Sequence, residues 1–117
     1  MNFDVTTERL SGQQVVISPA GEVDLYTAPE LKQELLDAIE SGATDVIVDL
    51  TRTTFIDSAA LGVLVGAVRR LRERDGRLSI VCSERSIRKI FEITGLDRVL
   101  AIHASRQEAL GVVGSAV

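Results

Sequence analysis

Three stretches decide the fold: Val46-Ile47-Val48-Asp49-Leu50, then Ala59-Ala60-Leu61-Gly62-Val63-Leu64-Val65-Gly66-Ala67-Val68, then Leu78-Ser79-Ile80-Val81-Cys82. The first and last are short, rich in β-branched residues and read as strands. Between them, residues 58–75 read as a helix, apolar all round in its first half and charged in its second. A strand, a helix and a strand in that order form a βαβ unit, with parallel strands and a right-handed crossover. The apolar half is expected to be buried and the charged half to project into water. Gly62 and Gly66 each lower helix propensity by about 1 kcal/mol relative to Ala, which suggests close packing on a sheet. Their spacing also occurs in membrane helix pairs, but the run 59–68 is half of the about 20 residues a span needs.

Working outward, Phe3 and Val5 alternate with polar residues, and Val15-Val16-Ile17 forms a second β-branched run. The polar turn Ser11-Gly12-Gln13 joins them as a hairpin. Thr27-Ala28-Pro29-Glu30 has the pattern of a capping box with Pro in the first turn. Leu31, Leu35, Ala38 and Ile39 continue it as a helical stripe, and Ser41-Gly42 ends it. Beyond Cys82, Ile87, Ile90 and Phe91 share one helix face that Gly95 stops. A short strand Val99–Ile102 follows, and Ser105-Arg106-Gln107-Glu108 opens a last helix as a second capping box. The order ββαβαβαβα predicts one α/β domain over residues 1–117: a mixed, mostly parallel sheet with an N-terminal hairpin, and helices packed on it. Three successive strands end at about Ala20, Leu50 and Cys82. The segments Gly21–Tyr26, Thr51–Ser58 and Ser83–Ser86 should therefore gather as loops on one sheet edge, where open α/β sheets usually carry their sites.

Composition narrows the function. Of 117 residues, 45% are hydrophobic and 26% charged, which suits a single ordered core and excludes a disordered or fibrous chain. Cys82 is the only cysteine and His103 the only histidine, so neither a disulfide framework nor a two-histidine site can form within one chain. The start MNFDVTTERL has no basic n-region or apolar h-region, and a soluble cytoplasmic domain with no membrane association is expected. The net charge of -4 divides unevenly, residues 1–50 being strongly acidic and residues 51–117 basic. The basic excess centres on Arg69, Arg70, Arg72, Arg74 and Arg77, read as the solvated end of a helix. With one Tyr, three Phe and no Trp, the chain lacks stacking platforms for single strands, so no direct nucleic-acid contact is expected.

Few residues offer chemistry. Ser58 is placed to cap the apolar helix, a structural use worth about 1 kcal/mol. A serine at a helix start on a loop-rich edge is also a candidate phosphoacceptor; phosphate would meet free backbone N–H groups there, together with the like charge of Asp57. No G-x-S-x-G elbow surrounds Ser58, and His103 lies in or near a late strand, so a catalytic triad has no support. Gly21-Glu22-Val23-Asp24 reads either as a plain turn or as an acidic contact loop beside Ser58. Glu22, Asp24 and Asp57 are too weak a set to imply Mg²⁺, and no phosphate-binding glycine loop is present; neither metal nor cofactor is expected. Cys82 closes an apolar strand as a small buried hydrophobe.

Phe55-Ile56-Asp57-Ser58-Ala59-Ala60-Leu61-Gly62 resembles the signature of the anti-sigma factor antagonists, small bacterial members of the STAS domain family. Gly21-Glu22-Val23-Asp24, Ile47-Val48-Asp49-Leu50 and Phe91-Glu92-Ile93-Thr94-Gly95-Leu96 match in the same order, so the resemblance runs from about Val15 to Leu110. It implies a non-catalytic binding protein for stress-responsive transcription. The residue matching Ser58 is phosphorylated by an anti-sigma factor that is also a serine kinase. The unphosphorylated form binds that factor and frees a sigma factor, and a serine phosphatase resets the switch. The resemblance implies a partner surface of Gly21, Glu22, Asp24, Asp57, Ser58, Ala59, Ala60 and Gly62. Many relatives carry Ser or Gly after the phosphoacceptor, whereas Ala59 and Ala60 leave Ser58 the only acceptor in this motif. The alternative is a STAS subunit of a larger stress-signalling or lipid-transport assembly, which a phosphorylatable Ser58 and the absence of an appended domain disfavour.

Overall fold

The computed structural model describes residues 3–111, so the outermost residues of the expected 1–117 domain lie outside the described residues. The β-branched runs form the strands β1 (Asp4–Arg9), β2 (Gln14–Val23), β3 (Asp45–Asp49) and β5 (Arg77–Val81), whereas the strand expected at Val99–Ile102 is displaced by a 3₁₀ turn over Leu96–Arg98 and forms as β6 (Ala101–His103). The helices are α1 (Ala28–Glu40), α2 (Ser58–Arg72), α3 (Arg85–Thr94) and the single turn α4 (Arg106–Ala109). One further strand, β4 (Thr53–Ile56), lies where a loop was expected. The sheet runs β1-β2-β3-β5-β6, with β1 antiparallel to β2 and the rest parallel, and β4 pairs with β2.

Alternation along the strands divides the core into two layers. Val15, Ile17, Val46, Val48 and Ile80 meet the helices in the main cluster, with Leu35, Leu64, Leu71 and Phe91. Val16, Ile47 and Val81 pack on the other face against Ala109 and Leu110. Cover on both faces explains why these strands read as unbroken apolar runs.

The hidden strand has a local cause. Asp49 accepts the Thr51 N–H at 2.9 Å and also the Thr51 hydroxyl, closing a tight turn without Gly or Pro. The chain then returns beside the extended C-terminal half of β2. That half separates from β3 near Pro19, which has no N–H to give the ladder, and the Pro19 carbonyl accepts the Thr53 hydroxyl at 2.8 Å. At Gly21 the register shifts as a β-bulge, with φ at 105°, a backbone that favours glycine. Gly21 and Glu22 thus lie within a strand rather than in a turn.

Three helix expectations change. The Thr27 side chain makes no cap bond to α1. Its hydroxyl donates to the Glu22 carbonyl at 2.6 Å and accepts the Asp24 N–H at 2.9 Å, turning back toward β2. Asp57, rather than Ser58, is the N-cap of α2. Gly62 and Gly66 do not pack on the sheet, since a Cβ at either would meet nothing within 4 Å. Ala60, Leu64, Ala67, Val68 and Leu71 bury one side of α2, leaving Gly62 exposed. The arginines after Val68 also divide: Arg74 donates to the Ile39 carbonyl at the end of α1 at 2.7 Å, and Arg77 pairs with Asp45 at 3.4 Å. Ser105 caps α4 as expected, accepting the Glu108 N–H.

Arg106 ties α4 across three strands, reaching Asp49 at 2.6 Å, Ser18 at 3.0 Å and Glu8 at 3.3 Å. Burial pushes the Asp49 carboxyl up, but Arg106 and Thr51 outweigh it, and the net direction is below the ordinary value of 3.8. A depressed folded value stabilises the fold above the unfolded pKa of about 3.9 and is lost as pH falls through the folded value. Asp49→Asn should cost about 1–2 kcal/mol at pH 7, in the lower range for a charged hydrogen bond because the Arg106 side chain is 40% exposed. Urea titrations from pH 7 to pH 2 should show the difference from wild type shrinking below about pH 4. A gap that stays constant across that range would remove this pair from the acid response.

Candidate functional site

Pairing of β2 with β4 builds the site. Glu22 stands opposite Phe55 and Val23 opposite Ile56, and the Asp57 N–H donates to the Val23 carbonyl at 3.3 Å. Two of the three expected segments, 21–26 and 51–58, are therefore held side by side by main-chain bonds. The third meets only the start of the second and not Ser58: Ser83 shares a hollow with Thr51, Arg52 and Arg106.

At the end of β4 the chain turns into α2. Asp57 is extended, and its Oδ1 accepts the N–H groups of Ala59 at 2.9 Å and Ala60 at 3.2 Å. Ser58 is relieved of capping and becomes the first residue of the helix, exposed, with no hydrogen-bond partner for its hydroxyl among the described residues. Leu64 and Leu71 anchor α2 in the core, so this hydroxyl stands on a rigid element.

Asp24 organises the neighbouring turn. Its Oδ1 accepts the N–H groups of Tyr26 at 2.9 Å and Thr27 at 3.0 Å. These bonds, the one from the Thr27 main chain foremost, hold the Asp24 carboxyl below its ordinary value. The turn presents Leu25 at 68% and Tyr26 at 79% exposure, while Phe55 on the adjoining strand is 47% exposed. Single exposed apolar residues are common. Here three large ones occur on the two paired segments that carry Ser58, which gives this end of the domain the composition of a contact surface.

Of the expected surface residues, Glu22, Ser58 and Gly62 are exposed and Gly21, Asp24, Asp57 and Ala59 are partly so. Ala60 is the exception: at 1% exposure it packs in the core, and its small size seats α2 on the sheet. Sequence reasoning passed over Leu25, Tyr26 and Phe55, although two large apolar residues inside a four-residue polar turn were a readable signal. Among the described residues no three His, Cys, Asp or Glu side chains gather as a metal-binding group. His103 lies on β6 and shares a hollow with Arg72, at the end of α2 opposite Ser58, and is no base for Ser58. Cys82 is buried, which pushes its thiol up, away from the thiolate form.

A family model described as STAS domain matches residues 4–109. The anti-sigma-B factor antagonist of Listeria monocytogenes is 35% identical over 103 residues, covering 87% of this chain and 90% of that protein. Its namesake in Staphylococcus aureus is 32% identical, covering 88% and 93%. An anti-sigma factor antagonist from Mycobacterium paratuberculosis superimposes with a TM-score of 0.86 at 26% identity, covering 96% of this chain and 94% of that one. The Bacillus cell fate determinant SpoIIAA in its phosphorylated form gives 0.74 at 26% identity, covering 94% and 99%. No helix among the described residues is long and apolar enough to cross a membrane.

Proposed function

The chain belongs to the STAS domain family, and on that premise we propose that it is an anti-sigma factor antagonist switched by phosphorylation of Ser58. In its unphosphorylated form it binds an anti-sigma factor with serine kinase activity, through Ser58 and the surface of Glu22, Asp24, Leu25, Tyr26 and Phe55. Occupying that factor frees a sigma factor. A serine phosphatase restores the binding form. Names of relatives support the antagonist role, and the existence of SpoIIAA in a phosphorylated form supports the switch.

The observation that carries this reading is the division of labour between Asp57 and Ser58. A serine that caps its own helix has its oxygen engaged with main-chain N–H groups. Here Asp57 takes those bonds and leaves the Ser58 oxygen exposed on a fixed turn. The kinase would transfer the γ-phosphoryl of ATP to Ser58 Oγ, with ADP leaving and the hydroxyl proton released. The new group carries about -1.5 to -2 charges. Asp57 already occupies the Ala59 and Ala60 donors, so the dianion is turned outward beside a carboxylate. A partner covering it would have to desolvate unpaired charge next to apolar Leu25, Tyr26 and Phe55, and binding ends without any refolding.

Incubation with ATP, Mg²⁺ and each serine-kinase anti-sigma factor of the source organism, followed by intact mass and peptide mapping, tests this reading. One added phosphate on Ser58, absent from Ser58→Ala, is the expected result. A stable complex with no phosphate would leave an antagonist without the switch, and neither complex nor phosphate across the panel would overturn the proposal.

A further inference from the structure

The two glycines that sequence reasoning assigned to the sheet line something else. Gly62 and Gly66 lie along an apolar groove of about 310 Å³ between α1 and α2, with Leu36 and Val63 beside them and Lys32 and Arg70 at its ends. Neither glycine is needed by the fold, since a Cβ at either would meet nothing within 4 Å. Each is about 1 kcal/mol less favourable in a helix than alanine would be. What glycine does provide is a backbone that another helix can approach closely. The groove spans α2 from Ala59 to Arg70, about 16 Å at the helical rise, which is three turns of a partner helix. It begins one residue beyond Ser58.

Charge selects the occupant. Neither Lys32 nor Arg70 has an ion-pair partner among the described residues, in a chain whose net charge is -4. A cation at each end of an apolar floor fits an amphipathic helix with small or aliphatic residues along one face and a carboxylate near each end. We infer that this groove receives such an acidic helix of the anti-sigma factor, as a second contact continuous with the Ser58 surface. The inference rests on the proposed function and extends it. Ser58 then supplies the switch, and the groove supplies affinity and register.

The test uses the anti-sigma factor that binds or phosphorylates the wild-type chain in the panel above, with affinity measured by calorimetry. Gly66→Leu should weaken binding at least tenfold by filling the groove. Gly62→Ala with Gly66→Ala should weaken it several-fold while Tm holds or rises, a combination that a folding defect does not produce. Lys32→Glu with Arg70→Glu should weaken it more than tenfold and flatten the dependence of affinity on salt. Arg72→Glu reverses a single charge on another side of α2 and should leave affinity within twofold. Wild-type affinity for Gly66→Leu and for the charge reversal, with Ser58→Asp still abolishing binding, would overturn the groove and spare the switch. An equal loss in Arg72→Glu would also overturn it, in favour of diffuse attraction. If no factor binds the wild-type chain, groove and proposed function fall together.

Discussion

Ser58→Asp should weaken binding to the anti-sigma factor by at least about a hundredfold, whereas Ser58→Ala should bind within about threefold of wild type. Removing one hydroxyl changes little at an exposed position where it has no intramolecular partner. Adding a carboxylate places charge on a surface that the partner must desolvate, and an unpaired charge in an interface costs about 2–5 kcal/mol. Asp57, a carboxylate itself, does not neutralise it, and its oxygen already engages the Ala59 and Ala60 N–H groups that could have donated to the new charge. Stability separates this effect from misfolding. An acidic residue in the first turn of a helix stabilises it by about 0.3–1 kcal/mol, offset in part by Asp57, so the urea midpoint of Ser58→Asp should stay near that of wild type. Calorimetric titration of both variants decides the matter. Equal affinity in the two would show that charge at Ser58 is not the control element.

How far the sequence carried this reading depended on the kind of signal. Strands with both faces covered announce themselves as apolar runs: Val46-Ile47-Val48 lies within a residue of the bounds of β3, whereas β2 runs past its expected end at about Ala20 to Val23. Strand β4 escaped because its entry turn is closed by the Asp49 side chain rather than by Gly or Pro. Yet Thr53-Thr54-Phe55-Ile56 has the β-branched and aromatic content of a strand. Missing it concealed how residues 21–24 reach Asp57, which is through a parallel ladder and not through loops that meet at an edge. Capping was legible as a location and ambiguous in its agent. Asp and Ser are equally good caps, and only the extended backbone of Asp57 decides that it caps and Ser58 follows. The glycines of α2 misled for a related reason: a small residue signals that something approaches closely, without saying whether it belongs to the same chain.

That ambiguity also covers large residues, and Tyr26 is where it has the greatest measurable consequence. Tyr26→Ala should weaken binding to the anti-sigma factor by about 30-fold, the equivalent of the 2 kcal/mol that marks an interface hot spot. The ring is 79% exposed and so adds little to the isolated fold. Its backbone is nevertheless fixed, because the Tyr26 N–H is held by Asp24, whose carboxylate also holds Thr27. A large aromatic on a rigid turn needs little ordering when a partner buries it, which is why such residues dominate interface energetics. Urea unfolding of Tyr26→Ala should therefore differ from wild type by no more than about 0.5 kcal/mol, and Tyr26→Phe should retain most of the affinity if apolar area is what counts. Asp24→Ala supplies the complementary case. It leaves the ring in place and releases the turn, so binding should weaken through lost preorganisation although no contacting side chain has been removed. Tyr26→Ala binding within twofold of wild type would exclude the 24–27 turn from the interface and confine recognition to Ser58 and α2.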